Sequence, residues 1–155
     1  MEEEIKFYDT RMWRMLKNIK YKHEVESFIW DRSGAAFFVT DAIGNISIFD
    51  GQSLEIEPEI TLSSIHRKSR CQCIEMHPSN EFFVTGGNDS LIAFWDFEEL
   101  LCTGTVRDNS LPVKALKFSP CGTYLAAIGQ EDRPDQEKRC TLEVFDTEQR
   151  LPVAA

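Results

Sequence analysis

The chain has 155 residues, 42 % of them hydrophobic and 11 of them Phe, enough to bury one sizeable core, so a single domain is expected. Acidic residues outnumber Lys and Arg by 26 to 17, a net charge of −9, so the surface as a whole repels phosphate backbones and unaided nucleic-acid binding is not expected. The opening Met1-Glu2-Glu3-Glu4 has no cationic leader, and no run approaches the ~18 apolar residues of a membrane span, so no membrane contact is expected.

In chain order, the first element is a partial repeat over about 5–20, holding Tyr8-Asp9 and an outer strand near Met15 to Lys20. A full repeat over about 25–62 follows. It opens with an apolar strand from Val25, turns at Trp30-Asp31-Arg32-Ser33-Gly34, runs a second strand from Phe37 to Thr40, ends a third at Phe49-Asp50, and closes with a more polar fourth from Glu57 to Leu62. The next, over 71–106, opens at Cys71, turns at Met76-His77-Pro78-Ser79-Asn80 and runs a second strand from Phe82 to Thr85. A second turn, Gly86-Gly87-Asn88-Asp89-Ser90, leads to Trp95-Asp96 and a fourth strand from Leu101 to Val106. The last, over 113–153, turns at Phe118-Ser119-Pro120-Cys121-Gly122, where Pro presets one backbone angle and Gly permits a left-handed one. Its second strand spans Tyr124 to Ala127, its third ends at Phe145-Asp146, and its fourth lies near Leu151 to Val153. It also carries an insertion from Arg133 to Arg139, read as a solvated loop because its acidic residues lack the Gly and the regular spacing of a Ca²⁺ loop.

The four aromatic-Asp pairs place Asp9, Asp50, Asp96 and Asp146 at intervals of 41, 46 and 50 residues. A period near 40 to 45 residues ending in Trp-Asp or a relative is the signature of the WD40 β-propeller blade, four strands per blade. The fold class is therefore all-β: about three full four-stranded antiparallel blades plus a partial one, forming a single segment over 1–155. Such a set falls short of the usual ring of about 4 to 8 blades, so a fragment of a longer propeller, or closure by another chain, is expected. Second strands should pack on both faces between neighbouring blades. Trp30, Phe83, Trp95, Phe118 and Phe145 should be buried. Asp89, six residues before Trp95, is read as a structural acceptor that closes its turn, and Trp95 and Asp96 are likewise structural.

No catalytic constellation is present, so no enzyme activity, cofactor, metal or small-molecule substrate is expected. Gly86-Gly87 belongs to a blade turn rather than to a phosphate loop, and Glu98-Glu99 follows a strand end where a solvated turn is the simpler reading. His23, His66 and His77 lack zinc spacing. Of the five Cys, Cys71 and Cys73 alternate along a strand, should share a face, and read as packed thiols in a reduced intracellular setting. One local feature departs from the acidic background. The connection from Ser63 to Arg70 holds His66, Arg67, Lys68 and Arg70, a candidate partner-binding set facing an acidic surface or RNA phosphate. His66 has a second reading, as a blade histidine bonded toward the neighbouring turn.

Certain stretches are more particular than the repeat itself. These are Tyr21-Lys22-His23-Glu24-Val25 leading to Trp30, then Phe37-Phe38-Val39-Thr40, and His66 through Cys71-Gln72-Cys73-Ile74. They continue as Phe83-Val84-Thr85-Gly86, Asp89, Trp95-Asp96 and Glu99-Leu100, then Pro112-Val113 and Leu116 to Gly122. In these the chain resembles the THO complex subunit 3 family of WD40 proteins. The resemblance implies a seven-bladed propeller docked on the large helical THO scaffold, and a nuclear, non-catalytic role within THO/TREX coupling transcription to mRNA processing and export. RNA contact would be indirect or through the basic loop. The other reading is a generic WD40 adaptor, such as a ubiquitin-ligase substrate receptor or signalling scaffold.

Overall fold

The computed structural model describes residues 3–53, 60–63, 65–66, 69–107, 111–131 and 139–153. Within them the chain is all-β, as the repeat predicts. A two-stranded sheet pairs β1 (Glu3–Asp9) with β2 (Arg14–Tyr21). Three four-stranded antiparallel meanders follow: β3 (Val25–Trp30) to β6 (Ile60–Ser63), β7 (Cys71–Met76) to β10 (Cys102–Val106), and β11 (Val113–Phe118) to β14 (Leu151–Pro152). These are propeller blades. Their first strands, β3, β7 and β11, lie side by side in succession, so the sheets pack face to face.

Burial explains the strand patterns. The second and third strands of the first two full blades are β4 (Ala36–Asp41), β5 (Asn45–Asp50), β8 (Phe82–Gly87) and β9 (Ile92–Asp96), and they are buried almost continuously. Each is covered on both faces, so an alternating apolar–polar pattern would place polar groups in the core. Phe38, Phe83 and Trp95 join one such interface, with the rings of Phe83 and Trp95 parallel at 5.9 Å. Burying each aromatic side chain there contributes about 1.5–3 kcal/mol.

In the third full blade, by contrast, β12 (Tyr124–Glu131) and β13 (Arg139–Asp146) alternate. Leu125, Ala127 and Phe145 pack inward, while Tyr124, Ile128, Leu142 and Val144 are exposed. The expectation of double-faced packing therefore fails for this strand: one face meets the preceding blade, and the other meets solvent. Trp30 also departs from expectation, being 38 % exposed. Its ring lies 4.8 Å from that of Phe37 and edge-on to Phe7. The sheet it faces supplies only β1 and β2, which leaves one side of the indole open. Phe83, Trp95, Phe118 and Phe145 are buried as expected.

The turns show what the recurring Asp does. Asp9, Asp50, Asp96 and Asp146 each follow a third-strand aromatic and accept from backbone N–H groups of the next turn. Asp96 Oδ1 takes Glu98 N at 2.9 Å and Glu99 N at 2.8 Å, and Asp9 Oδ1 takes Arg11 N at 2.8 Å and Met12 N at 3.1 Å. In the full blades Phe49, Trp95 and Phe145 are buried and anchor the strand while the carboxylate closes the turn; Tyr8, before Asp9, is exposed. Gly86-Gly87 lies at the end of β8, not in a turn. A Cβ on Gly87 would stand 2.7 Å from His66 Nδ1 and one on Gly86 2.5 Å from Val113. Both positions are small because neighbours approach closely.

Cys71 and Cys73 are buried, but not on one face. A β-bulge falls between them, and one extra residue reverses the side-chain parity. The Cys71 thiol lies by the hydroxyls of Thr40 and Thr85, whereas Cys73 Sγ points to the Gly86 and Val113 carbonyls at 3.7 and 3.8 Å. Burial pushes the Cys71 thiol up, and the Cys73 thiol up to about 12, which keeps both protonated. The inserted loop at 132–138 lies outside the described residues; Arg139, expected in that loop, instead begins β13 opposite Glu131.

Candidate interaction surface

In an antiparallel four-stranded blade, the second-to-third turn and the connection to the next blade share one rim. The segment from Ser63 to Arg70 is such a connection, between β6 and β7. His66 is fully buried, so it is not a surface contact; its imidazole is turned inward. Nδ1 lies 2.9 and 3.0 Å from the two Asp89 carboxylate oxygens, and Nε2 lies 3.0 Å from Thr85 Oγ1. The Trp95 indole N–H donates to that same hydroxyl at 2.9 Å. With Thr85 accepting from Trp95 and donating to Nε2, the proton of a neutral imidazole sits on Nδ1 and is donated to Asp89. Asp89 Oδ1 also accepts from Leu91 N at 3.2 Å. Four residues, from the connection, β8, the following turn and β9, thus tie the rim connection to the blade interior. Asp96 stands outside this chain of bonds, capping the turn at the opposite rim.

Thr85, the hinge of this network, was not singled out by sequence reasoning. The repeated Phe-Phe-Val-Thr at 37–40 and 82–85 was the available signal. The first full blade builds a different network at the corresponding place. The Tyr21 hydroxyl lies 2.8 Å from Ser47 Oγ and donates to Asp41 Oδ2 at 3.4 Å, and Asp41 Oδ1 accepts from Ile43 N and Asn45 N. All three side chains are buried. Desolvation pushes the Tyr21 hydroxyl up to about 12, with its Ser47 bond opposing the rise.

Arg70 lies on the surface of the same rim, but its charge is engaged. Its guanidinium donates to Glu24 Oε2 at 2.5 Å and to Glu26, both on the preceding blade. These bonds hold the Glu24 carboxyl below its usual range and raise Arg70 further. Arg70 is therefore a cross-blade tie rather than part of a free positive island. Arg67 and Lys68 lie outside the described residues. Among the described residues, no group of three or more His, Cys, Asp or Glu is placed to hold a metal ion.

Comparisons with known proteins agree with this architecture. The WD40 family model (WD domain, G-beta repeat) matches residues 58–96, the span that includes His66, Asp89 and Trp95-Asp96. The chain is similar to THO complex subunit 3 of Arabidopsis thaliana, 29 % identical over 130 residues that cover 84 % of this chain and 40 % of that relative. It is also similar to WD repeat-containing protein AAC3 of Dictyostelium discoideum, 24 % identical over 76 % of this chain and 25 % of that relative. The chain thus spans less than half the length of these curated relatives. Among solved structures, Kuenenia stuttgartiensis hydrazine synthase matches 97 % of this chain and 42 % of its own with a TM-score of 0.83 at 15 % identity, a likeness of fold alone.

Proposed function

We propose that this WD40 protein is a non-catalytic scaffold subunit of a THO/TREX-type complex, acting in the nucleus where transcription is coupled to mRNA processing and export. The observation that carries this reading is the similarity to THO complex subunit 3, which extends over 84 % of the chain rather than over one repeat. Fold alone would not choose this role, since one propeller serves many functions.

The partners in this reading are other THO subunits, above all the large helical scaffold. The contact assigned to them is the rim around the 63–70 connection. His66 serves there by positioning, because its ring is committed to Asp89 and Thr85. Arg67 and Lys68 supply the charge, and Arg70 braces the rim against Glu24 and Glu26.

The reading is tested by tagging the protein, purifying it from nuclear extract and quantifying what accompanies it. THO subunits at near-equal amounts are expected; a cullin adaptor in their place would overturn the assignment in favour of a ubiquitin-ligase receptor. Charge reversal at Arg67 and Lys68 should slow association with those subunits at low salt and matter less at high salt, where the screening length shortens to a few ångströms. Arg70 is left intact in this variant, because reversing it would set three carboxylates together. Equal on-rates at low salt would remove the connection from the interface.

A further inference from the structure

The first sheet leaves a backbone edge and an apolar groove side by side, a feature independent of the THO reading. Each full blade has four strands, whereas this sheet has two, β1 and β2. They correspond to third and fourth strands, because Asp9 closes the turn after β1 as Asp50, Asp96 and Asp146 do after β5, β9 and β13. In the full blades each third strand also pairs with a second strand: β5 with β4, β9 with β8, β13 with β12. Among the described residues β1 pairs only with β2, so its other edge presents a row of unpaired N–H and C=O groups. The one irregularity in that pairing puts its extra residue, Leu16, on β2, which leaves β1 unbroken from Glu3 to Asp9.

Beside this edge lies a groove of about 680 Å³, lined by Ile5 and Phe7 of β1 and by Phe28, Trp30 and Phe37 of the first full blade. The repeat shows how these positions are treated elsewhere. Relative to the bulge in each first strand, Phe28 and Trp30 of β3 match Ile74 and Met76 of β7 and Leu116 and Phe118 of β11. Those four are buried, whereas Phe28 is 63 % exposed and Trp30 is exposed beside it. Where Leu116 and Phe118 are covered, β8 helps to cover them: its Val84 faces the following blade while Phe83 faces the preceding one. The groove is also formed without an occupant, since Trp30 rests against Gly51, where a Cβ would stand 2.8 Å from the ring.

We infer that the β1 edge takes an extended segment of a partner protein as an added antiparallel strand, whose alternate large apolar side chains cover Phe28 and Trp30. Main-chain bonds to β1 hold the segment, and the groove selects its side chains. The molecule's own second strands give the chemistry of that segment: apolar residues of the Phe-Phe-Val-Thr kind, facing both ways. A second copy fits this site poorly. To turn its own Ile5 and Phe7 toward the groove, it would carry the full blade stacked on that face into the blade that forms the groove floor.

The probe is a fluorescein-labelled peptide with the sequence Glu81-Phe82-Phe83-Val84-Thr85 between pairs of lysines, read by fluorescence anisotropy against the full chain. Two further peptides carry N-methyl groups on alternate amides, one on the even and one on the odd positions. Successive N–H groups of a strand point to opposite edges, so one methylated peptide should bind about ten-fold more weakly and the other within about two-fold of the unmodified peptide. Phe28→Lys should weaken binding about ten-fold, because it removes the largest open apolar surface of the groove. Its melting temperature should stay near that of the parent, since the side chain is mostly exposed in the free chain. Absence of binding to the parent, equal effects of the two methylated peptides, or parent-like binding by Phe28→Lys would each overturn the proposal. Dimerisation of the chain alone that Phe28→Lys abolishes would overturn it in favour of a second copy.

Discussion

Asp89 illustrates how one side chain serves both its own turn and the neighbouring connection. It accepts from Leu91 N and holds the His66 ring, which in turn meets Thr85 and Trp95. Asp89→Ala should cost on the order of 1–3 kcal/mol, because it strands a buried N–H donor, with chemical denaturation midpoints as the readout. A variant that unfolds like the parent yet loses its partners would make Asp89 a contact residue instead. Tyr21 gives a pH signature. Its hydroxyl, raised to about 12 by burial, keeps its proton in the fold where an unfolded tyrosine has lost it. Its contribution is therefore complete below about pH 10 and is lost as pH rises toward 12. Tyr21→Phe should be less stable at neutral pH but show a shallower decline between pH 10 and 12. Cys71 and Cys73 are unchanged in both proteins, so the difference between the two curves reports Tyr21. Parallel curves would contradict the assignment.

At the scale of elements, most of the meander was legible because the repeat writes it four times. Each aromatic-Asp pair has an Asp that caps, and in the three full blades the aromatic, Phe49, Trp95 or Phe145, packs inward, so no single blade had to be convincing alone. Residues that act through their surroundings were less legible. Thr85 is an ordinary strand threonine until His66 and Trp95 converge on it, and Trp30 reads as core until the two-stranded sheet leaves it half covered. The bulge between Cys71 and Cys73 recurs between Val25 and Ser27 and between Val113 and Ala115. It shifts the parity on which a period-two reading depends, and no residue type marks it. Gly44 gives a test of how closely the rim elements approach. It has φ +86°, and a Cβ there would stand 2.6 Å from the Ser69 carbonyl and 3.0 Å from that of His66. Gly44→Ala should destabilise by about 1–3 kcal/mol from backbone strain and collision together, visible as a lowered melting temperature. An unchanged melting temperature would mean that the 63–70 connection is not seated against this turn.

For the whole molecule, what matters is which faces the blades share. The first two full blades are covered on both sides, and the third presents Leu142 and Val144 outward while Phe145 packs against its neighbour. Leu142→Lys, at a position 68 % exposed, should stay within about 0.5 kcal/mol of the parent, whereas Phe145→Ala should cost about 3–5 kcal/mol. Comparable losses would mean that the outward face is core. The scaffold reading rests on the similarity to THO complex subunit 3 over 84 % of the chain, with these stacked blades as its platform. The most direct test mixes the purified chain with the recombinant large helical subunit of a THO complex and measures mass by light scattering during gel filtration. A stable complex of one copy of each is predicted at micromolar concentration. Two separately eluting species, each at its own mass, would contradict the assignment to THO.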